Sequence, residues 1–115
     1  MSDPGTVHFL IDLMAGMGEV HARRMFGGYG IFCGKIMFGL VADDVLYLKA
    51  DDHNMHQFLE AGLEPFIYMK KGRPVTMSYY EAPAEAMDDS ETMERWAKPA
   101  LHAAQRAKGR VLSSK

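Results

Sequence analysis

Residues 20–49 read VHARRMFGGYGIFCGKIMFGLVADDVLYLK, and the period of that stretch decides the fold. β-Branched and aromatic residues alternate with small or polar ones in short runs, the two-residue repeat of strands that bury one face, and glycines or aspartates punctuate the runs. Four strands are predicted, at about Val20 to Met25, Tyr29 to Cys33, Lys35 to Val41 and Val45 to Lys49. Gly34 lacks a Cβ and so supplies the positive φ of a tight turn, and Ala42-Asp43-Asp44 reverses the chain again. The product is an antiparallel meander.

The same stretch carries Gly27, Gly28 and Gly30, spaced like part of a dinucleotide fingerprint. That motif works because its glycines open a helix whose free amides and dipole hold pyrophosphate. Here Gly27-Gly28-Tyr29-Gly30 runs into Ile31-Phe32-Cys33, which reads as a strand. The glycines are therefore read as a loop that lets strands approach closely, the alternative being an anion nest built with Arg23 and Arg24.

Outward from the meander the period becomes helical. Residues 3–17 place Val7, Leu10, Leu13, Met14 and Met17 near one face, with Gly16 and Gly18 to end the helix. Asp51 reads as an N-cap for a helix to Ala61, stopped by Gly62. A second hairpin follows, from Pro65 to Met69 and from Pro74 to Tyr80, around the charged tip Lys70-Lys71-Gly72-Arg73. Pro83 starts a short helical stub. Asp89 or Ser90 caps a last helix whose apolar stripe is Met93, Trp96, Ala97, Ala100, Leu101 and Ala104. Pro99 is expected to kink or break that helix, and Gly109 to end it.

Helix, four strands, helix, two strands and helix make an α+β domain: a single antiparallel sheet with helices flanking it, in two layers. One sheet face then remains to meet water or a partner. Tyr47, Tyr68, Tyr79 and Tyr80, with the methionines, are expected to cover it, and a homodimer is the simplest way to bury such a face.

Bulk properties narrow the function classes. At 115 residues, 48% hydrophobic and 24% charged, the chain fits one globular domain. Nothing approaches the roughly 20 consecutive apolar residues of a membrane-spanning helix, and the N-terminus lacks the basic start of a secretory leader, so a cytoplasmic protein is expected. Net charge is −2, but nine acids stand against three basic residues over 51–93, and six basic residues against Glu94 over 94–115. The basic tail begins at about Lys108. Ten methionines suit an adaptable core or binding surface.

Catalytic constellations are sparse. His53 and His56 lie three apart beside Asp51, Asp52 and Glu60, but on positions that read as a solvated helix face rather than a zinc motif. Cys33 reads as a small apolar residue, a nucleophile only if a remote histidine lies against it. No catalytic residue, metal or cofactor is assigned. Lys70, Lys71 and Arg73, flanked by Tyr68 and Tyr79, offer a surface for direct nucleic-acid binding, and a small ligand-binding protein is a further alternative.

Two segments, residues 18–51 (GEVHARRMFGGYGIFCGKIMFGLVADDVLYLKAD) and 65–101 (PFIYMKKGRPVTMSYYEAPAEAMDDSETMERWAKPAL), closely resemble the N-terminal domain of the TfoX/Sxy family of competence regulators. RRMFGGYGIF, LYLK, MSYYEAP and the helical Trp96 carry the likeness in order, over about Phe9 to Ala107. The resemblance implies one antiparallel sheet with flanking helices and a non-enzymatic protein that promotes expression of DNA-uptake genes alongside the cyclic-AMP receptor protein or other transcription machinery. Full-length members carry a second, helical domain, and this chain is expected to be a single-domain form. Residues 1–115 are read as one such domain, working by protein contact through Arg23, Arg24, Gly27, Gly28, Tyr29, Lys70, Lys71, Arg73, Tyr79 and Tyr80.

Overall fold

A computed structural model describes residues 2–25 and 27–113, with side chains through Gly109. Its elements are α1 (Pro4–Leu13), β1 (Val20–Met25), β2 (Gly28–Cys33), β3 (Ile36–Ala42), β4 (Val45–Lys49), α2 (Met55–Glu60), β5 (Pro65–Lys70), β6 (Arg73–Glu81) and α3 (Ser90–Ser113), with short 3₁₀ turns at Ala15–Met17 and Ala84–Met87. The six strands form one antiparallel sheet in the order β1-β2-β3-β4-β6-β5. The fold is α+β, in the element order expected.

Local chemistry explains the ends of the elements. Asp3 caps α1, its Oδ1 accepting from the Gly5 amide at 2.8 Å, and Pro4 occupies the first turn where its missing N–H costs nothing. Asp44 Oδ1 accepts from the Asp3 amide at 2.7 Å, and the Asp44 amide donates to Ser2 Oγ at 3.3 Å, tying the start of α1 to the β3–β4 turn. Asp43 and Asp44 both have positive φ, 50° and 63°, which matches the strand twist at a two-residue hairpin and suits short side chains that tolerate the left-handed region. Asp89 Oδ1 accepts from the Thr92 amide at 2.7 Å and opens α3.

The core gathers Val7, Leu10 and Met14 from α1, Ile31, Phe38, Leu46 and Leu48 from the strands, Phe58 from α2, and Met93, Ala97, Ala100 and Ala104 from α3. Phe38 and Phe58 are fully buried. Phe58 is held between Tyr80, ring centroids 5.5 Å apart, and Trp96, at 5.3 Å. A register shift near Ile31 and Phe32 bulges the β2–β3 pairing, bending the sheet locally.

Three expectations are corrected. Pro99 lies inside an unbroken α3. Its ring removes one hydrogen bond at a cost of about 3 kcal/mol, but buried residues on both sides of it, Met93 and Ala97 before, Ala100 and Ala104 after, hold the two halves to the same core. Gly109 does not end the helix, which continues to Ser113. The second helix is also shorter than expected, starting at Met55 because Asp51 and Asn54 organise a turn first. Asn54 Oδ1 accepts from the Asp51 amide at 2.8 Å, and Asn54 Nδ2 donates to the Lys49 carbonyl at 3.0 Å.

Asn54, not Asp51 as expected, is the N-cap residue of α2; the Asp51 carboxylate accepts from the His53 amide at 2.9 Å and reaches across to α3. Arg106 in α3 donates to that carboxylate twice, Nε to Oδ2 at 2.7 Å and Nη2 to Oδ1 at 2.9 Å, linking positions 55 residues apart. That paired hydrogen bond, opposed by burial and aided by the His53 amide, lowers the Asp51 pKa to about 2 from its ordinary 3.8. A carboxylate with a depressed folded-state pKa contributes stability above its unfolded value and loses it as pH falls through the folded one. Asp51→Asn is expected to be less stable than the parent by a constant margin down to about pH 4, the margin closing toward pH 2. Urea unfolding at stepped pH measures it, and a margin unchanged from pH 6 to pH 2 would refute the role.

Gly28 sits where a Cβ would lie inside the van der Waals envelope of the Val41 carbonyl oxygen, a backbone atom that cannot step aside. Gly27 has φ +76° but open space around it. Gly28→Ala is therefore expected to cost about 1–3 kcal/mol by overpacking, and Gly27→Ala only the smaller penalty of left-handed backbone, about 1 kcal/mol. Equal losses in thermal unfolding would contradict the close approach of β2 and β3.

Candidate interaction face and cleft

The meander ladder sorts the sequence candidates by face. Alternation places Ala22, Ile31 and Leu48 toward the helices and His21, Phe32 and Tyr47 on the opposite side. Arg23 and Arg24 are therefore split. The Arg23 guanidinium lies over the Phe32 ring, 5.5 Å from its centroid, and the same ring stacks with His21 at 5.6 Å. Arg24 lies over Tyr29 at 5.8 Å, and with Gly27, Gly28, Met25, Ser2 and Pro4 it borders a shallow depression of about 360 Å³.

Tyr79 and Tyr80 are likewise on opposite faces. Tyr80 faces α2 and packs on Phe58, so it does not belong to the open side. Tyr79 does: it is buried, its hydroxyl donates to the Met37 carbonyl at 3.4 Å, and the Lys49 ammonium lies 5.3 Å from its ring centroid. Burial pushes its phenol pKa up. Tyr47, edge-on to Phe66 at 5.0 Å, also has a raised pKa, through burial first and then the charges of Glu81, Asp43 and Glu64.

Sequence reasoning missed the shape of the last hairpin. β6 has nine residues and β4 five, and β4 pairs only with Tyr79, Tyr80 and Glu81, while Pro74, Val75 and Thr76 pair with β5 alone. The far half of the β5–β6 hairpin is thus a two-stranded arm. Phe66, Tyr68, Val75 and Met77 from this arm line one side of a cleft of about 300 Å³, and Met25, Gly30, Met37 and Leu40 line the other. In a flat sheet β2 and β5, four places apart, would be separated by about 19 Å at ~4.8 Å per strand. A shared cleft requires the sheet to bend around its open face. The available signal was that Phe66, Ile67, Tyr68 and Met69 are apolar on both parities, unlike a strand with one wet face.

The arm also carries most of the exposed large apolar side chains: Ile67, Tyr68, Met69 and Val75. Lys70, Lys71 and Arg73 are exposed at its tip, Lys71 and Gly72 forming the positive-φ turn. Lys70 lines the cleft, whereas Lys71 and Arg73 do not. In the last helix Arg95 pairs with Glu91 at 2.6 Å, Lys98 with Glu94 at 2.9 Å and Arg106 with Asp51 at 2.7 Å, while Lys108 is exposed. Arg110 and Lys115 of the expected basic tail, like Phe26 of the glycine segment, lie outside the residues whose side chains are described.

The remaining candidates are separate. The half-buried Cys33 thiol donates to the Met17 carbonyl at 3.8 Å. His53, His56 and His102 border a depression of about 270 Å³ with Pro99 and Arg106. Among the described residues no group of three His, Cys, Asp or Glu side chains is arranged to hold a metal ion, and no helix is long and apolar enough to cross a membrane.

Comparison with known proteins agrees with the resemblance read from the sequence. The chain is 37% identical over 65 residues to the DNA transformation protein TfoX1 of Aliivibrio fischeri, a match covering 56% of this chain and 31% of that protein. It is 28% identical over 97 residues to Protein Sxy of Escherichia coli, covering 84% of this chain and 46% of that one. The matched region thus spans less than half the length of either relative. The family model described as the TfoX N-terminal domain matches residues 12–104, from the end of α1 to the buried stripe of α3, and the chain belongs to that family.

Proposed function

We propose that this chain is a non-enzymatic regulatory module of DNA-uptake competence that works in the cytoplasm by protein contact, its partner being the cyclic-AMP receptor protein or another part of the transcription machinery. Within the 115 residues the module is one domain, with a basic tail from about Lys108. Support comes from family membership and from the name of one relative, a DNA transformation protein.

The observation that carries the contact reading is the arm: Ile67 and Met69, 55% and 60% exposed, lie on an edge strand beside three cations. Isolated exposed apolar residues are ordinary, but a cluster on an unpaired strand edge is a surface that folding alone does not account for. Arg23 and Arg24, on opposite faces, extend the contact toward the glycine loop on one face only. Nucleic-acid binding is less well supported, because ion pairs take up Arg95, Lys98 and Arg106 of α3.

Binding of the purified chain to the cyclic-AMP receptor protein by interferometry tests this reading. Micromolar or tighter binding is expected, weakened about tenfold or more by Ile67→Asp with Met69→Asp, the loss typical of a contact at the centre of an interface. No binding would remove that partner, and binding unchanged in the variant would remove the arm from the interface.

A further inference from the structure

We propose that the cleft between the β5–β6 arm and the β1–β3 face is a binding site for a small apolar monoanion, a carboxylate of about ten non-hydrogen atoms. The inference stands on the cleft itself and does not depend on the identity of any protein partner.

Size comes first. Small-molecule sites typically span about 300–1,000 Å³ and combine apolar walls with a few polar groups that fix orientation. The cleft, at about 300 Å³, has the lower size. At the ~30 Å³ that a water molecule occupies in the liquid, it holds about ten non-hydrogen atoms. Its walls are Met25, Met37, Leu40, Phe66, Val75 and Met77, which offer water almost no hydrogen bonds. Water in such a space is easily displaced by an apolar group.

Shape and softness follow from Gly30. A Cβ at that position would lie 2.6 Å from Met25 Sδ and 3.2 Å from Met37 Sδ, so both thioethers converge on its bare backbone. They give the cleft a polarisable, adjustable floor, the property that makes methionine surfaces accept varied apolar shapes. Phe66 and Tyr68 stand across from them on the arm.

Charge then selects among apolar ligands. Among the described residues that line the cleft, Lys70 is the one side chain with a full charge at neutral pH, and none of them is a carboxylate. It projects from the exposed end of β5 beside the tip cations Lys71 and Arg73. A ligand with an apolar body in the cleft and a single anionic head at the Lys70 end satisfies both features. A cationic head would meet three like charges.

Methionine methyl resonances read this directly, because Met25, Met37 and Met77 line the cleft while Met14 and Met93 are fully buried beneath the helices. In the intact chain labelled at methionine methyls, sodium octanoate is expected to shift the three cleft resonances saturably and to leave Met14 and Met93 in place. A dissociation constant in the high-micromolar to millimolar range fits about ten atoms at ~0.3–0.5 kcal/mol each. Octan-1-ol should bind less tightly than octanoate and octylammonium weakest of all.

Lys70→Gln, at an exposed position, should weaken octanoate two- to fivefold, as an exposed ion pair does, without changing octan-1-ol. Val75→Asp, which places a carboxylate on the cleft wall, should abolish octanoate binding. The site is overturned if the three cleft methyls do not saturate, if Met14 and Met93 shift equally, or if octylammonium binds as tightly as octanoate.

Discussion

The seating of α3 on β3 and β4 is the constraint from which the other features follow. The helix meets the sheet through Ala97, Ala100 and Ala104, all but fully buried, and the sheet answers with Phe38, Leu46 and Leu48. Small residues on the helix and large ones on the strands interlock at the density of a protein interior without forcing rotamers. Burial of that stripe is also what carries Pro99, since breaking the helix there would peel half of the alanine face from the core. Asp51 and Arg106 then fix the loop before α2 to the far end of the same helix, and Phe58 closes the gap between Tyr80 and Trp96.

With the helices committed to one face, the opposite face is shaped by strand lengths. β4 stops at Lys49, but β6 begins at Arg73, well before its first partner on β4. The overrun has only β5 for a neighbour, and a two-stranded ribbon is marginal by itself in water. Its apolar inner side, leaning toward Met25, Met37 and Leu40, supplies what the missing strand pairs do not. Such an element opens at lower free energy than the core, so the walls of the cleft belong to parts of unequal rigidity: a fixed meander and a more mobile arm. Recognition at an edge of this kind costs little reorganisation of the core.

The strands and turns were legible because each is specified locally. Alternation over 20–49, glycine at 34 and 62, and the Asp43-Asp44 reversal act within a few residues, and the structure contains all of them. Longer-range features were not. The Asp51 carboxylate looked like a helix cap because a cap is the local use of an aspartate, and no pattern announces a guanidinium 55 residues later. Pro99 is a helix breaker in isolation, and only the buried stripe on both sides overrides it. Tyr79 and Tyr80 were grouped by composition, yet adjacent strand residues point to opposite faces, which divides them between the cleft side and Phe58. The same parity divides Arg23 from Arg24. The cleft had the weakest signal, since it arises from the difference in length between β4 and β6 and from a bend in the whole sheet.

Charge placement gives the arm a direction. The last helix looks strongly basic in sequence, but Glu91, Glu94 and Asp51 pair with Arg95, Lys98 and Arg106, which reduces its field. Lys70, Lys71 and Arg73 are exposed at the arm tip, whereas Glu64 and Glu81 stand at its base, near enough to raise the pKa of Tyr47. Opposite charges at the two ends of one apolar ribbon orient an approaching molecule before contact, within the roughly 8 Å reach of electrostatics at physiological salt. In the proposed contact, apolar burial along Ile67 and Met69 would supply affinity that the short-range field cannot, so the arm would take direction from its ends and adhesion from its sides.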